Sequence, residues 1–516
     1  MSPKLPRKWI PFLSLLAGCL VLAGPFPASA ADSAPQDANA PAWEADTRAS
    51  LDKMAATLTD TLKPWPVPDR TFRVEDYGAK PDGVTVNTAA LQSAIDACSA
   101  AGGGVVLLAS GDYVTGTIEL KSGVMLEVDK GAKIVGSTSL ADYPDKVAAH
   151  ETVMDTLKRG NKSLIRAENC ERIGIRGDGV IDGRGQQKNF PSKQPKASLL
   201  DRPFLMRIIE CRKIVVDGIH LRNSASWLED YLNCDDLIIQ GINVENQGNL
   251  NNDGFDIDGC RNVIVRKCFF NTYDDGMCFK GLGMRTTQNV LVEDCTAYCS
   301  HFGNPLKFGT ESEGGIQNLL VRNIKIGGTP ADLPCFQRES GSRSISGISW
   351  ESVDGATVEN ILVTNARIDR AESPIFLRLG NRARTKPDLP KPPPGNLRHL
   401  IFDHITGGNN GARGSIIAGI PGTQVRDVVI RDMNLSMAGG GKSSNAKLPE
   451  NIPNYPDSYM FGPESPAYGF WMRHAQGITL QGVKITPVKP DARPQFDADE
   501  DTAAILIDGT PAPMGR

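Results

Sequence analysis

The sequence predicts an all-β chain, a single right-handed parallel β-helix of about ten turns with an N-terminal capping helix. Three observations carry that prediction. First, a short pattern recurs from Ser163 onward: one small or apolar residue, two polar ones, then apolar-x-apolar. Second, the first apolar strand residue of each copy falls at 173, 214, 237, 263, 290, 319, 361, 400, 428 and 478, giving gaps of 41, 23, 26, 27, 29, 42, 39, 28 and 50. Short gaps are one turn and long gaps a turn plus an inserted loop, and repeats of about 20–50 residues mark solenoids. Third, the 52 Gly and 35 Pro of the 516 residues are scattered at turn spacing, which suits many short strands joined by tight turns.

Taken from the start, residues 1–30 read as an export signal: Lys4 to Lys8 basic, Trp9 to Leu22 mostly apolar, then Pro27-Ala28-Ser29-Ala30 as a cleavage site. Leu16-Ala17-Gly18-Cys19 offers a competing lipoprotein reading, with Cys19 lipidated. Either way the protein is expected to be periplasmic or secreted. No later stretch holds 18 unbroken apolar residues, so no membrane span is expected. A net charge of −4 argues against a nucleic-acid binder.

Residues 31–71 form a leader with a short helix. Leu51, Met54, Leu58 and Leu62 recur at helical spacing from Asp46 until Pro64-Trp65-Pro66 stops the run. The catalytic domain is assigned to residues 72–516. It opens with an amphipathic helix N-capped by Asn87, with Leu91 and Ile95 on its apolar face and Gly102-Gly103-Gly104 ending it. Such a helix covers the open edge of the first turn. Strands are expected over Val105–Ala109, Val114–Leu120, Val124–Val128 and Ala132–Gly136.

Cys170, Cys211, Cys234 and Cys260 fall in the repeat column also held by Ile316, Val358, Leu397 and Ala475. That column faces inward, where cysteine acts as a small hydrophobe; a disulfide or metal role is the other reading. Cys295 and Cys299 are the better candidates for a disulfide or a loop pin.

The chemistry concentrates between Asn251 and Thr310. Asp253-Gly254-Phe255-Asp256-Ile257-Asp258 and Asp275-Gly276-Met277-Cys278-Phe279-Lys280 have the same shape and start 275 − 253 = 22 positions apart, one turn of the helix. Stacked coils lie roughly 4.8 Å apart, so Asp253, Asp274 and Asp275 converge on one patch. Phe255, Met277 and Leu306, with Ile257, Phe279 and Phe308, are expected inward. Asp256, Cys278 and Lys307, and likewise Asp258, Lys280 and Gly309, are expected to point out to solvent. Asp256 and Asp258 are read as turn-capping carboxylates. For the other three, like charges one turn apart must separate in pKa, which acid/base cleavage of a glycosidic bond requires.

The chain resembles glycoside hydrolase family 28, the polygalacturonase-type pectin hydrolases, over most of Phe72 to Pro487. Asn251 to Asp256 matches the family's Asn-x-Asp-Gly-Phe-Asp, and Asp274-Asp275-Gly276 its second acidic motif. The resemblance implies inverting hydrolysis, with Asp274 protonating the leaving oxygen and Asp253 and Asp275 activating water, and puts Asn251 among the substrate contacts. Two departures stand out. The family's histidine falls on Asn304, with His301 nearby as a replacement, and its Arg-x-Lys falls on Ser349-Trp350-Glu351. Lys280, Arg378 and Arg473 share an offset on their turns and, with Lys307, would make an outward basic stripe for a carboxylate, or a solvated ladder. Trp227, Trp350 and Trp471 are either sugar-stacking faces or core.

The expected substrate is an acidic pectin-type polysaccharide or oligosaccharide, a galacturonan or a rhamnogalacturonan, with residues 137–160, 184–202, 329–346, 381–395 and 436–466 looping around the cleft. No cofactor and no metal ion is expected, and the chain is expected to act as a monomer. A β-helical lyase or epimerase, or a non-catalytic glycan-binding scaffold, is the alternative.

Overall fold

The second polar residue of each repeat makes the corner of a coil. Arg172, Lys213, Asp236, Asn262, Asn289, Asn318, Asn360, His399 and Asp427 all take left-handed backbone angles, with φ between 54° and 59°. Asparagine and aspartate tolerate that region better than other side-chain-bearing residues, because their short polar groups bond locally. Here they bond from coil to coil: Asn289 Nδ2 donates to Asn262 Oδ1 at 3.3 Å, Asn318 Nδ2 to Asn289 Oδ1 at 3.1 Å, and Asn360 Nδ2 to Asn318 Oδ1 at 3.3 Å.

The computed structural model describes residues 40–147, 161–192, 201–282, 285–336, 342–385, 388–442, 448–499 and 501–512. The export signal with Cys19 lies outside them, as do parts of the five loops. The described strands form two sheets, of 24 and 12 strands, coiled as a right-handed parallel β-helix. Pairing is parallel throughout both sheets except at the C-terminal Leu506–Pro511 pairing. In the 12-stranded sheet Phe255 sits beside Met277 and Met277 beside Leu306, while Ile257, Phe279 and Phe308 form the second inward row. Both rows are buried in the common core, as expected.

The cysteine column is inward too. Cys211, Cys234 and Cys260 are buried, and all ten described cysteines are free thiols. The disulfide expected of Cys295 or Cys299 is therefore a correction: Cys295 instead lies against the carbonyls of Val265 and Glu293, in the core beside its own repeat. Backbone N–H groups bond sulfur up the column, Cys170 to Cys211 and Cys234 to Cys260, each at 3.3 Å.

Two helices cover the coil. Helix α2 (Thr88–Ala100) buries Leu91, Ala94, Ile95 and Cys98 against the first turn. Asn87 stands at its N-cap position but its side chain does not cap it. Its Oδ1 accepts from Lys80 N at 2.7 Å and its Nδ2 donates to Thr85 O at 2.8 Å, so it clamps the preceding loop instead.

Helix α1 (Ala42–Thr61) does not stand apart as a leader. Leu51, Ala55 and Leu58 pack on Ile264, Leu291, Leu320, Leu362, Ile401 and Val429, the middle residue of apolar-x-apolar on six coils. Six coils span roughly 24 Å, within the ~30 Å length of a 20-residue helix. The helix begins where Glu44 meets Arg431 at 2.9 Å; beyond its end Trp65 Nε1 donates to Ile173 O at 3.3 Å. A groove of about 950 Å³ between this helix and the 24-stranded sheet lies on a different sheet from the acids.

Candidate active site

Three consecutive coils of the 12-stranded sheet build the site, with the acids on the first two and Asn304 on the third. Asp274 N donates to Asn252 O at 3.3 Å, Gly254 N to Asp275 O at 2.9 Å and Gly276 N to Asn304 O at 2.9 Å, so the turns carrying Asp253, Asp274–Asp275 and Asn304 are directly stacked. Glycine permits this closeness. A Cβ at Gly303 would lie 2.2 Å from Asp274 O, and one at Gly254 2.4 Å from Gly276 O.

Asp253 and Asp275 are buried and Asp274 is half-buried. Their surroundings differ. Asp275 is ion-paired: its Oδ2 lies 2.9 Å from Lys307 Nζ, and its Oδ1 accepts from Asn304 N at 2.9 Å and Asn304 Nδ2 at 3.0 Å. Asp274 has a backbone donor, Asp275 N at 3.0 Å, and no such ion pair among the described residues. Burial first, then the neighbouring Asp275 charge, pushes Asp274 up to about 7, against the pull of Lys307 and Lys280. Asp253 is raised well above the usual carboxylate range by burial, then by Asp256, Asp274 and Asp275. Asp274 and Asp275 are thus adjacent acids in different settings, one raised and without an ion pair among the described residues, the other paired with Lys307.

Lys280, Lys307, Asp256 and Asp258 point away from the core as the alternation requires, but they do not reach open solvent; all four are buried. That corrects the expected solvent-facing rows. Lys280 Nζ lies 3.3 Å from Asp256 Oδ1 and 3.1 Å from Glu311 Oε2, and 4.4 Å from the centre of the Trp227 ring. Asp258 accepts twice from Leu282 N, at 2.8 and 3.0 Å, the turn-capping role expected of it. Lys307 is covered by the loop after residue 436: Tyr455 Oη is 3.5 Å from its Nζ, and the ring centre 5.8 Å away.

The basic stripe is not a set of free cations. Arg378 donates to Gly419 O at 2.8 Å and Glu450 O at 2.9 Å. Arg473 pairs with Glu450 and, at 3.0 Å, with Asp499. They share a column through Ala418, two and four strands beyond Lys307, so roughly 10 and 19 Å along the sheet. Asn251 adopts a left-handed turn and accepts from Arg202 at 2.8 Å. His301 packs on Phe302 with ring centres 4.1 Å apart and tilted by 46°, and no hydrogen bond joins it to the acids among the described residues. Trp350 and Trp471 are fully buried and Trp227 nearly so.

Sequence reasoning passed over Glu351, although it read the residue as replacing a cation. It is buried one strand beyond Lys307, whose Nζ is 4.0 Å from its Oε2. Among the described residues, polar atoms without a hydrogen-bond partner gather around these acids: Asp253 Oδ1, both Asp256 oxygens, His301 Nδ1, Asn304 Oδ1 and Glu351 Oε2. Buried polar atoms are nearly always bonded, so such a cluster marks where a polar ligand is met.

A long parallel coil with paired acids and orphaned polar atoms on one sheet is a β-helical protein of the glycoside-hydrolase class. The chain belongs to glycosyl hydrolases family 28, whose family model matches residues 98–453. It is 25% identical over 390 residues to a probable polygalacturonase of Vitis vinifera, covering 71% of this chain and 74% of that one. It is 24% identical over 326 residues to an exo-poly-alpha-D-galacturonosidase of Dickeya chrysanthemi, spanning 54% of this chain and about half, 53%, of that protein. Among solved structures it is similar in fold to a hyperthermoactive exopolygalacturonase from Thermotoga maritima, with a TM-score of 0.61 at 21% identity, covering 75% of this chain and 91% of that one.

Proposed function

We propose that the protein hydrolyses glycosidic bonds of an acidic, pectin-type polysaccharide or oligosaccharide with inversion at the sugar carbon. Asp274 is the proton donor to the leaving oxygen and Asp275 the base that activates the attacking water, with Asp253, which holds its own proton, beside it on the adjacent turn. The observation that carries this reading is the difference in setting between neighbours: Asp275 is ion-paired to Lys307 at 2.9 Å, while Asp274 has no such partner among the described residues and is lifted to about 7. A protonated acid beside a carboxylate is the pair that hydrolysis needs. Asn304, whose main-chain and side-chain N–H groups both reach Asp275, holds that carboxylate in place. The galacturonan-directed names of the relatives fit the substrate class.

The test is a panel of pectic polysaccharides, following reducing ends together with ultraviolet absorbance from unsaturated uronates. New reducing ends without absorbance are expected. Both signals would mean a lyase, and neither across the panel would mean a binding scaffold. Asp274→Asn is expected to lower turnover by roughly 10²–10⁴-fold with the fold intact, since an amide cannot donate that proton. We also read the chain as exported, from its basic-then-apolar start and Ala28-Ser29-Ala30, and as acting as a monomer. Mass spectrometry of the mature N-terminus, expected at Ala31, separates this from lipidation at Cys19.

A further inference from the structure

The groove of about 950 Å³ between helix α1 and the 24-stranded sheet has a regular wall. On the coil side it follows one column of corner residues: Arg172, Lys213, Asp236, Asn262, Asn289 and Asn318. Strand register puts them on successive coils, so the column runs along the axis for five steps, roughly 24 Å. That is long enough for several units of a linear polymer.

The charge in the groove is one-sided. Lys53 and Lys63 stand on the helix side and Arg172 and Lys213 on the coil side, and all four are exposed. Lys213 lies 2.9 Å from Glu171, whereas Lys53 and Arg172 have no ion pair among the described residues. Asp236 is the one acid lining the groove among the described residues, and its Oδ1 already accepts from Asn262 Nδ2 at 3.0 Å. Two facing pairs of cations focus a field that favours an anion.

The amides supply the second feature. Asn289 and Asn318 each spend one N–H and one lone pair on the coil-to-coil ladder, which leaves each half-buried amide an N–H and a lone pair. Such groups suit hydroxyls, which both donate and accept, while the cations suit carboxylates. Trp65, the aromatic residue of the groove, is buried on Val215 and Ile238, so no open ring is offered for a nucleic-acid base to stack on. The corner also presents no unpaired strand edge for a peptide to extend.

We propose that this groove is a second, non-catalytic site that binds a linear carboxylated glycan along the coil axis. The inference goes beyond the hydrolase reading, because the groove would bind that glycan whether or not the acids cut it.

Calorimetric titration with hexagalacturonate at pH 7.5 tests it, in the Asp274→Asn background so that the ligand stays whole. The triple variant Lys53→Gln/Lys63→Gln/Arg172→Gln is expected to show one site fewer than its parent, or that site weakened at least fivefold. Fully methyl-esterified hexagalacturonate, which lacks the charge, and hexaglutamate, which lacks the hydroxyls, are expected to show no site that depends on these three residues. Identical titrations for the parent and the folded triple variant would overturn the proposal, and so would a groove-dependent site for either control ligand. Should the triple variant not fold, Arg172→Glu alone, at an exposed corner, makes the same comparison. Reducing-end release from hexagalacturonate with Asp274 intact is a separate readout, expected within about twofold of the parent in the triple variant. No cleavage together with a groove-dependent site sinks the hydrolase reading and keeps this one; cleavage without such a site does the reverse.

Discussion

Glu229 sits where a core residue belongs. Its strand, Glu229–Leu232, pairs with Phe255–Asp258, which puts Glu229 in the inward column beside Phe255. It is fully buried; Tyr231 Oη donates to its Oε2 at 2.5 Å, and Oε1 has no partner among the described residues. Burial pushes its carboxyl from the ordinary 4.5 up to about 8, with the Tyr231 bond pulling the other way. Because the folded value is the higher one, the stability this group contributes is complete below about pH 4.5. It is then lost as pH rises through about 8. The slope is about 1.4 kcal/mol per pH unit, so by pH 7 roughly 3 kcal/mol is gone. Glu229→Gln removes the titration and keeps an acceptor for Tyr231, but buries an extra N–H at a cost of ~1–3 kcal/mol. The two proteins should therefore cross: the variant weaker at pH 5 and stronger at pH 8. Urea midpoints for both, at pH 5, 6, 7 and 8, give the difference directly, and other titrating acids cancel in it. Parallel pH curves would refute the reasoning, because they would mean Glu229 binds its proton equally in both states.

Activity should fall about tenfold per pH unit above roughly 7, as Asp274 loses its proton; initial rates from pH 4 to 9 on the best pectic substrate check this, and rates still rising at pH 8 would contradict the donor assignment. Gly303→Ala places a methyl group against the Asp274 carbonyl and should cost about 1–3 kcal/mol by thermal or urea melt. It should also cut turnover at least tenfold through displacement of the acid. Leu51→Ala, on the packed face of helix α1, should cost ~2–5 kcal/mol in the same melt and leave kcat unchanged, since it packs on the 24-stranded sheet and not on the one that carries the acids.

The coil and its acids were legible because both are written in local periodicity. A 22-residue offset is enough to stack Asp253 on Asp275, and alternation is enough to send Phe255 and Ile257 inward. What periodicity does not carry is coverage. Lys307 was assigned to solvent because nothing near it in sequence buries it; the ring above it comes from Tyr455, 148 positions on. Lys280 is buried for a similar reason, by Glu311 one coil on and Trp227 two coils back. The signal for helix α1 was present: the middle residue of apolar-x-apolar is Ile264, Leu291, Leu320, Leu362, Ile401 and Val429, too apolar for an outer face left bare. Asn87 shows the opposite failure, a correct position with a different partner, because a cap and a loop clamp ask for the same amide. Glu229 broke the inward pattern openly, and an acid in a core row is a cue worth reading.

Helix α1 has a mechanical consequence. In a solenoid each coil touches only its neighbours, so unwinding can start at either end and advance one rung at a time. A rod fastened along six rungs, tied at Arg431 near its start and followed by Trp65 docked at Ile173, makes the loss of any one of them disturb the others. The coils beneath it, among them those that carry the acids, then come apart together or not at all.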